Sequence, residues 1–274
     1  MIWLALALSS GVYWTEVGAK QALVCQMTEL GSCLAHLPPR VRQQVPNSID
    51  GLNRAMGRRG AMVLPLVDTQ VSGLILISPS NIPQTILVDL SGELYSFPLV
   101  ESQQLTLWHE LGHLQAVDLV DKGLMEGLTD YQHEWLADCY LVWRSAREKQ
   151  GLDLAWQQYH RRNIDVMQDV SFMSHWTVPV LSQLLSRYKV EELTHFETFE
   201  ALMGDFLPQL EQANQDTLDE FSSLIHRSFS TQASLQLPSY MYWRKPALRR
   251  YFESTLVSLL GREAADLWLR EQSL

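Results

Sequence analysis

The sequence predicts an α+β fold: a small N-terminal β-sheet that packs on one long helix, followed by a largely α-helical C-terminal region. Three observations lead to this prediction. Short runs rich in valine, isoleucine and leucine cluster between residues 61 and 99. Most segments after residue 100 repeat their apolar residues at helical spacing. Hydrophobic residues make up 46% of the 274 positions, which is enough to fill one or two buried cores.

The first 19 residues have features of a signal peptide. Residues 1–8 are almost all apolar, and residues 17–19 (Val-Gly-Ala) are the small residues that a signal peptidase accepts before Lys20. However, no lysine or arginine precedes the apolar run, and Glu16 lies close to this cleavage site. Residues 1–19 are therefore a candidate signal peptide. We expect an exported protein, periplasmic or secreted, with a cytoplasmic protein as the alternative.

Residues 20–58 are predicted to be helical, with interruptions. The helix stops are Pro38, Pro39 and Pro46, because proline has no amide hydrogen and a fixed φ.

The three cysteines do not form a zinc-binding pattern. Cys25 and Cys33 either pair as a disulfide in an exported protein, since Gly31 allows the helix between them to break, or remain two buried thiols. Cys139 has no CxxC partner and is predicted to be a core residue.

Four short apolar runs predict the strands of one small sheet. Aspartate, proline, asparagine, serine and glycine residues separate them, as in tight connections. The predicted strands are 61–67, 71–78, 85–90 and 94–99. Helices are predicted over about 102–120, 130–149, 176–188, 197–213, 216–228 and 246–260.

Charge and hydropathy exclude several classes of partner. The net charge is −10 and there is no run of lysine and arginine, which argues against nucleic acid or an anionic membrane surface as a partner. No segment approaches the roughly 20 apolar residues that cross a bilayer, so a transmembrane bundle is not expected. Most of the nine tryptophans are expected to pack between helices. A peptide or protein substrate is the remaining expectation.

The pentapeptide His109-Glu110-Leu111-Gly112-His113 has the spacing of a metal-binding helix. Residues at i and i+4 lie one turn apart, so His109 and His113 can reach one Zn²⁺ ion while Glu110 stands beside the metal-bound water. Gly112 weakens a helix by about 1 kcal/mol relative to alanine. Its presence predicts a close approach by another backbone or by substrate.

A second motif begins 21 residues after His113 with Glu134. Thr129 and Gln132 form a capping-box pattern, so a helix should begin at residue 130 and place Glu134 and Asp138 on one face. Glu134 is then the predicted third metal ligand. Asp138 is predicted to accept the free ring N–H of a ligating histidine, most simply that of His109.

The connection over residues 121–128 contains Gly123 and Gly127. It is long enough to let the second motif helix fold back antiparallel to the first.

These residues predict hydrolysis assisted by one zinc ion. The metal lowers the pKa of its bound water toward 7, and Glu110 takes the proton and later passes one to the leaving amine. No motif identifies the residue that stabilises the transition state. Tyr131 is the first choice because it lies one turn before Glu134. The alternatives, which no spacing favours, are His133, His160, His175, Tyr240 and Tyr242.

The two motifs resemble those of known zinc peptidases. HELGH with a downstream ExxxD helix resembles the gluzincin group typified by thermolysin, and EWLAD is similar to the ExxAD segment of membrane-linked peptidases related to the prenyl-protein endopeptidases. Residues 105–113 also resemble the FTLAHELGH segment of ImmA/IrrE-type peptidases. The resemblance covers about residues 104–139. We predict a zincin-like α/β core over residues 20–140, with the metal site, and a helical region over 141–274 that packs on or covers it.

A metzincin site is not predicted, because its third histidine would fall at position 119, which is Leu119. Two other functions stay open. One is a zinc-binding regulatory or structural protein without proteolytic activity, although a purely structural site has no use for Glu110. The other is a helical interaction protein that binds no metal.

Overall fold

The computed structural model of the chain describes residues 11–46, 48–229 and 239–274. It shows an α+β fold, as the sequence predicts. The strands are β1 (Val12–Val17), β2 (Lys20–Gln26), β3 (Ala61–Pro65), β4 (Val71–Ile77), β5 (Thr85–Leu90) and β6 (Glu93–Pro98). The first helices are α1 (Leu30–Leu34), α2 (Pro39–Arg42) and α3 (Ile49–Met56), followed by the motif helices α4 (Ser102–Asp121) and α5 (Asp130–Lys149). The remaining helices are α6 (Asp153–Gln168), α7 (Val178–Arg187), α8 (Val190–His195), α9 (Phe199–Phe206), α10 (Gln215–Phe229), α11 (Lys245–Leu260) and α12 (Arg262–Glu271).

The strands form two sheets, so the prediction of a single sheet is wrong. Four strands form a sheet in the order β1-β2-β4-β3, in which β2 and β4 are parallel and the two edge strands are antiparallel to their neighbours. Strands β5 and β6 form a separate hairpin. Ser91 and Gly92 at its turn both have positive φ, which suits the twist of a tight hairpin.

The prediction of a helix over residues 20–26 is also wrong, since these residues form β2. Its side chains alternate between two cores: Ala22 and Val24 face one, and Leu23 and Cys25 face the other. A strand that is buried on both faces has a continuous apolar run, and such a run has no periodicity that separates it from a buried helix.

Strand β1 lies within the region predicted as a signal peptide. Its residues pair with β2 from Val12 opposite Cys25 to Val17 opposite Lys20. Cleavage after Ala19 would therefore remove an edge strand of the sheet. Residues 1–10, which form the apolar part of that prediction, lie outside the described residues, and cleavage and export stay predictions.

Helices cover both faces of the four-stranded sheet. Helix α4 packs against β3, β4 and β1, most extensively against β3. On the opposite face, α1, α2 and α3 enclose a smaller core with one face of β2 and β4. Cys25 and Cys33 form a disulfide there that joins β2 to α1, with their Cα atoms 5.7 Å apart. Cys139 is a buried free cysteine in the larger core, as expected.

The larger core continues from the sheet through the helical region to Leu269. Residue 140, the predicted boundary, lies inside α5, and the division itself stays a prediction. Trp108, Trp135 and Trp176 are fully buried in this core, as expected for helix packing. Among the described residues, no helix combines the length and the apolar character needed to cross a membrane.

Candidate metal centre

Two packed helices bring the three predicted metal ligands together. His109 and His113 lie on α4, and Glu134 lies on α5. The Nε2 atoms of the histidines are 3.2 Å apart. One Glu134 oxygen is 3.3 Å from His109 Nε2, and the other is 3.6 Å from His113 Nε2. This group of nitrogen and carboxylate donors could hold a metal ion.

Local sequence explains why α4 and α5 approach so closely. A Cβ atom at Gly112 would lie 2.5 Å from the Cα of Ala137 and 2.7 Å from its carbonyl oxygen. Glycine on one helix and alanine on the other therefore let the two backbones touch. The close backbone approach predicted from Gly112 is confirmed, and the partner is α5.

The start of α5 also follows the sequence prediction. Thr129 Oγ1 accepts from the backbone N–H of Gln132, and the Gln132 side chain accepts from the backbone N–H of Thr129. Gly123 and Gly127 in the preceding loop have φ of 72° and 54°, a region that glycine enters readily. The loop thus reverses the chain and fixes where Glu134 falls relative to α4.

Asp138 is completely buried and accepts hydrogen bonds from four side chains. His109 Nδ1 lies 2.8 Å from it, the contact expected from the sequence. Arg162 donates from Nε at 2.7 Å and from Nη2 at 3.0 Å. Gln158 Nε2 donates at 2.9 Å and Thr177 Oγ1 at 2.6 Å. These bonds fix the Asp138 carboxylate, which in turn orients the His109 ring with Nε2 toward Glu134.

Arg162 also contacts the ligand set directly. Its Nη2 atom lies 3.3 Å from Glu134 Oε2, while its side chain is almost fully buried. One guanidinium group therefore holds the carboxylates of Glu134 and Asp138 in a fixed relative position. Arginine suits this task because its donors form a rigid fork.

These contacts set the protonation of the metal-free site. Burial alone would lower the pKa of His109, but the charge and hydrogen bond of Asp138 raise it to about 9. Burial and the neighbouring His109 lower the pKa of His113 to about 3. Burial opposes ionisation of Glu134, yet His109 and Arg162 hold its pKa at about 2. Burial also opposes ionisation of Asp138, but Arg162 and His109 keep its pKa well below the usual value. Both carboxylates are therefore ionised and attract a cation, which would displace the His109 proton.

Glu110, the predicted general base, follows His109 on α4 and is half-buried. Burial raises its pKa above the usual value, and the charge of Glu134 adds to this rise. The positive charges of His109, Arg162 and Arg59 oppose it. A raised pKa makes a carboxylate a better proton acceptor.

Among the predicted transition-state stabilisers whose side chains the structure describes, His175 lies within ion-pair distance of the ligand Glu134. It ends a short 3-10 helix over Val170–His175, and its Nε2 atom is 3.5 Å from Glu134 Oε1. Its side chain is 44% exposed, so it can meet a substrate. Tyr131, the first choice, has a buried hydroxyl without a hydrogen-bond partner in the described part of the chain.

The remaining candidate stabilisers occupy different positions. His133 has its ring centroid 6.4 Å from that of His113. His160 is bonded to Thr255, with 3.0 Å between Nδ1 and Oγ1. Tyr242 is half-exposed and its ring lies 5.2 Å from Lys245 Nζ. The side chain of Tyr240 lies outside the described residues.

Sequence reasoning did not identify Arg162, Gln158 or Thr177. Arg162 and Gln158 lie on α6, a helix that periodicity did not single out. The one available signal was that Asp138 faces a helical core and would need a cationic partner there. That signal does not choose among the arginines of the C-terminal region.

No known protein family matches this sequence, and no significant match was found among curated proteins or solved structures. Function is therefore inferred from the residues of the site.

Proposed function

We propose that this chain is a zinc-dependent metallopeptidase, with His109, His113 and Glu134 as the ligands of one zinc ion. Tetrahedral zinc with bonds of about 2.0 to 2.2 Å keeps its ligand atoms about 3.3 Å apart. The Nε2 atoms of His109 and His113 are 3.2 Å apart. One Glu134 oxygen lies 3.3 Å from His109 Nε2, and the other lies 3.6 Å from His113 Nε2, so each histidine nitrogen is close to this spacing from a Glu134 oxygen. This agreement is the observation that carries the proposal. Three protein ligands are also typical of catalytic zinc, whereas structural zinc takes four.

The chemistry follows from the placement of Glu110. Zinc held by His109, His113 and Glu134 would lower the pKa of a coordinated water toward 7 and would polarise a peptide carbonyl. Glu110 accepts the proton of the attacking water through its carboxylate, because it neighbours His109 and has a raised pKa. It then donates that proton to the amine that leaves as the peptide bond breaks.

His175 is the residue best placed to stabilise the negative charge that develops on the carbonyl oxygen. Its Nε2 atom lies at the Glu134 side of the ligand set and its ring is partly exposed. A ring N–H held in this position can donate to the oxyanion without reorganisation. The geometry thus favours His175 over Tyr131 for this role.

Strand β3 offers a backbone template beside the site. The Gly60 carbonyl accepts from the N–H of Ser78, just after β4, and the Leu66 N–H donates to the carbonyl of Ser72 in β4. The alternate residues Ala61 and Val63 therefore direct their N–H and C=O groups away from β4. No strand among the described residues pairs with that edge. Because β3 packs on α4, a peptide that paired with it would be held over the helix that carries Glu110.

The test begins with metal analysis of purified protein. We expect one zinc ion for each chain, and severe loss of zinc in Glu134→Ala, since one of three protein ligands is removed. Unchanged stoichiometric zinc binding by Glu134→Ala would show that the ligand assignment is wrong.

Hydrolysis is tested with a broad peptide library. We expect cleavage by the wild type and loss of cleavage in Glu110→Gln with zinc retained. A wild type that binds zinc but cleaves no peptide contradicts the proposal and favours a zinc protein without proteolytic activity. A wild type that binds no zinc also contradicts the proposal and favours a helical interaction protein that binds no metal.

A further inference from the structure

The connection that leads into β3 carries two neighbouring arginines. Arg58 and Arg59 are both exposed, and they stand directly before Gly60 and the free edge strand. The two arginines therefore lie at the amino end of β3, the strand with which a substrate backbone would pair.

The side chain of Arg59 is held at that end by one nitrogen. Its Nη1 atom donates to the Ala55 carbonyl at 3.1 Å and lies 4.0 Å from the sulfur of Met62. Within the described part of the chain, neither Arg58 nor Arg59 forms an ion pair with a carboxylate. The rest of the Arg59 guanidinium is thus available to a ligand.

The strand that follows Arg59 packs on the helix of the proposed base. β3 begins two residues after Arg59 and contacts α4, which carries Glu110. A peptide that pairs along β3 therefore reaches Arg59 within a few residues, since three residues of extended chain span about 10 Å.

Strand polarity decides which side of the scissile bond meets Arg59. Antiparallel pairing is slightly more stable for each residue than parallel pairing. A substrate antiparallel to β3 has its carboxyl side at the amino end of β3, which is the end where Arg59 lies. A parallel substrate would present its amino side there.

We propose that Arg59, with Arg58 beside it, selects substrates that carry a carboxylate within about three residues on the carboxyl side of the cleaved bond. This inference rests on the proposed peptidase function. The carboxylate belongs either to a glutamate or aspartate side chain or to the C-terminus of the peptide, and both would bind the guanidinium in the same way.

The test compares matched peptides that differ at the second or third residue after the cleaved bond, with glutamate, glutamine or lysine there. Each is made with a free and with an amidated C-terminus. We expect the wild type to favour glutamate over glutamine by about tenfold in kcat/KM, the effect of one charge-assisted contact. A preference for the free over the amidated C-terminus instead identifies the terminal carboxylate as the ligand.

Variants identify the arginine. Arg59→Gln should abolish the preference, and Arg59→Glu should reverse it in favour of lysine. Arg54→Gln is the matched control, because Arg54 is exposed on α3 and does not lead into β3; it should keep the preference.

Cleavage with no preference for a carboxylate would overturn this inference but not the peptidase function, and so would a preference for acid on the amino side of the bond. A preference that survives in Arg59→Glu would also overturn it. If the wild type cleaves none of the peptides, the peptidase function fails, and this inference fails with it.

Discussion

The buried ion pair between Arg162 and Asp138 is the residue-scale feature on which the site most depends. Removal of one partner leaves the other charged and buried, which costs about 3 to 5 kcal/mol. We therefore predict that Arg162→Met lowers the free energy of unfolding of the metal-free protein by about that amount. Urea unfolding followed by tryptophan fluorescence measures it.

The control for Arg162 is Arg262→Met. Arg262 pairs with Glu253 at 3.2 Å, but its side chain is 66% exposed. An exposed pair contributes about 0 to 1 kcal/mol, so this variant should unfold at nearly the wild-type urea concentration. Equal effects of the two substitutions would show that the Arg162 pair is not the buried, essential contact described above.

A second residue-scale prediction separates His175 from Tyr131. His175→Ala should lower kcat by about 100-fold or more, the usual loss of one oxyanion donor. Zinc content should be unchanged, because His175 is not one of the three ligands. Tyr131→Phe should leave kcat within about threefold, since the hydroxyl has no hydrogen-bond partner among the described residues. A large loss of kcat in Tyr131→Phe, with His175→Ala fully active, would reverse the two assignments.

The sequence predicts those residues of the metal centre that share a helix, because helix periodicity relates their positions. His109, Glu110 and His113 share one helix, and Glu134 and Asp138 share a second, so one spacing rule fixes each group. Arg162 and Thr177 reach Asp138 from 24 and 39 residues away along the chain. Such contacts depend on tertiary packing, and no local pattern in a single sequence encodes it.

At the scale of elements, the spacing between α4 and α5 controls the site. Gly112→Ala places a methyl carbon 2.5 Å from the backbone of Ala137, so the helices must separate. We predict a loss of about 2 kcal/mol or more in unfolding free energy, in spite of alanine's higher helix propensity. Zinc affinity should also fall by about tenfold or more, because the ligands are divided between the two helices. Zinc titration and urea unfolding measure the two effects.

Gly204 provides a matched control for Gly112. It lies within helix α9, and a Cβ atom there would meet nothing within 4 Å. Gly204→Ala should therefore stabilise the protein by up to about 1 kcal/mol and leave zinc affinity unchanged. A Gly112→Ala protein that behaves like Gly204→Ala would show that α4 and α5 are not held in close backbone contact.

The elements also show where pattern alone was insufficient. Strands β3 to β6 were recognisable because turn residues bound each run. Strand β2 was not recognisable, because its run Ala22–Cys25 is buried on both faces and therefore shows no alternation of apolar and polar residues. The parallel pairing of β2 with β4 joins segments about 50 residues apart. The sequence therefore predicted that a small sheet packs on the helices better than it predicted which strands form that sheet.

At the scale of the whole molecule, the four-stranded sheet divides two cores with different tasks. The core on the α4 side contains the helices that carry the metal ligands. The core on the α1 to α3 side contains the disulfide between Cys25 and Cys33. A change confined to the second core should therefore alter stability without rearranging the site.

Removal of the disulfide tests this separation. The bond closes a loop between residues eight positions apart, and the chain-entropy relation gives about 2 to 3 kcal/mol for a loop of that size. We predict that the Cys25→Ala, Cys33→Ala double variant unfolds with a free energy lower by about this amount. Wild-type protein treated with reductant should show a similar loss, whereas the double variant should not respond to reductant. Zinc stoichiometry should remain at the wild-type value in both. Cys25 and Cys33 lie in the core on the α1 to α3 side, whereas the helices that carry the metal ligands pack on the other face of the sheet. Loss of zinc together with the disulfide would mean that the sheet transmits the change to α4 and that the two cores do not act separately.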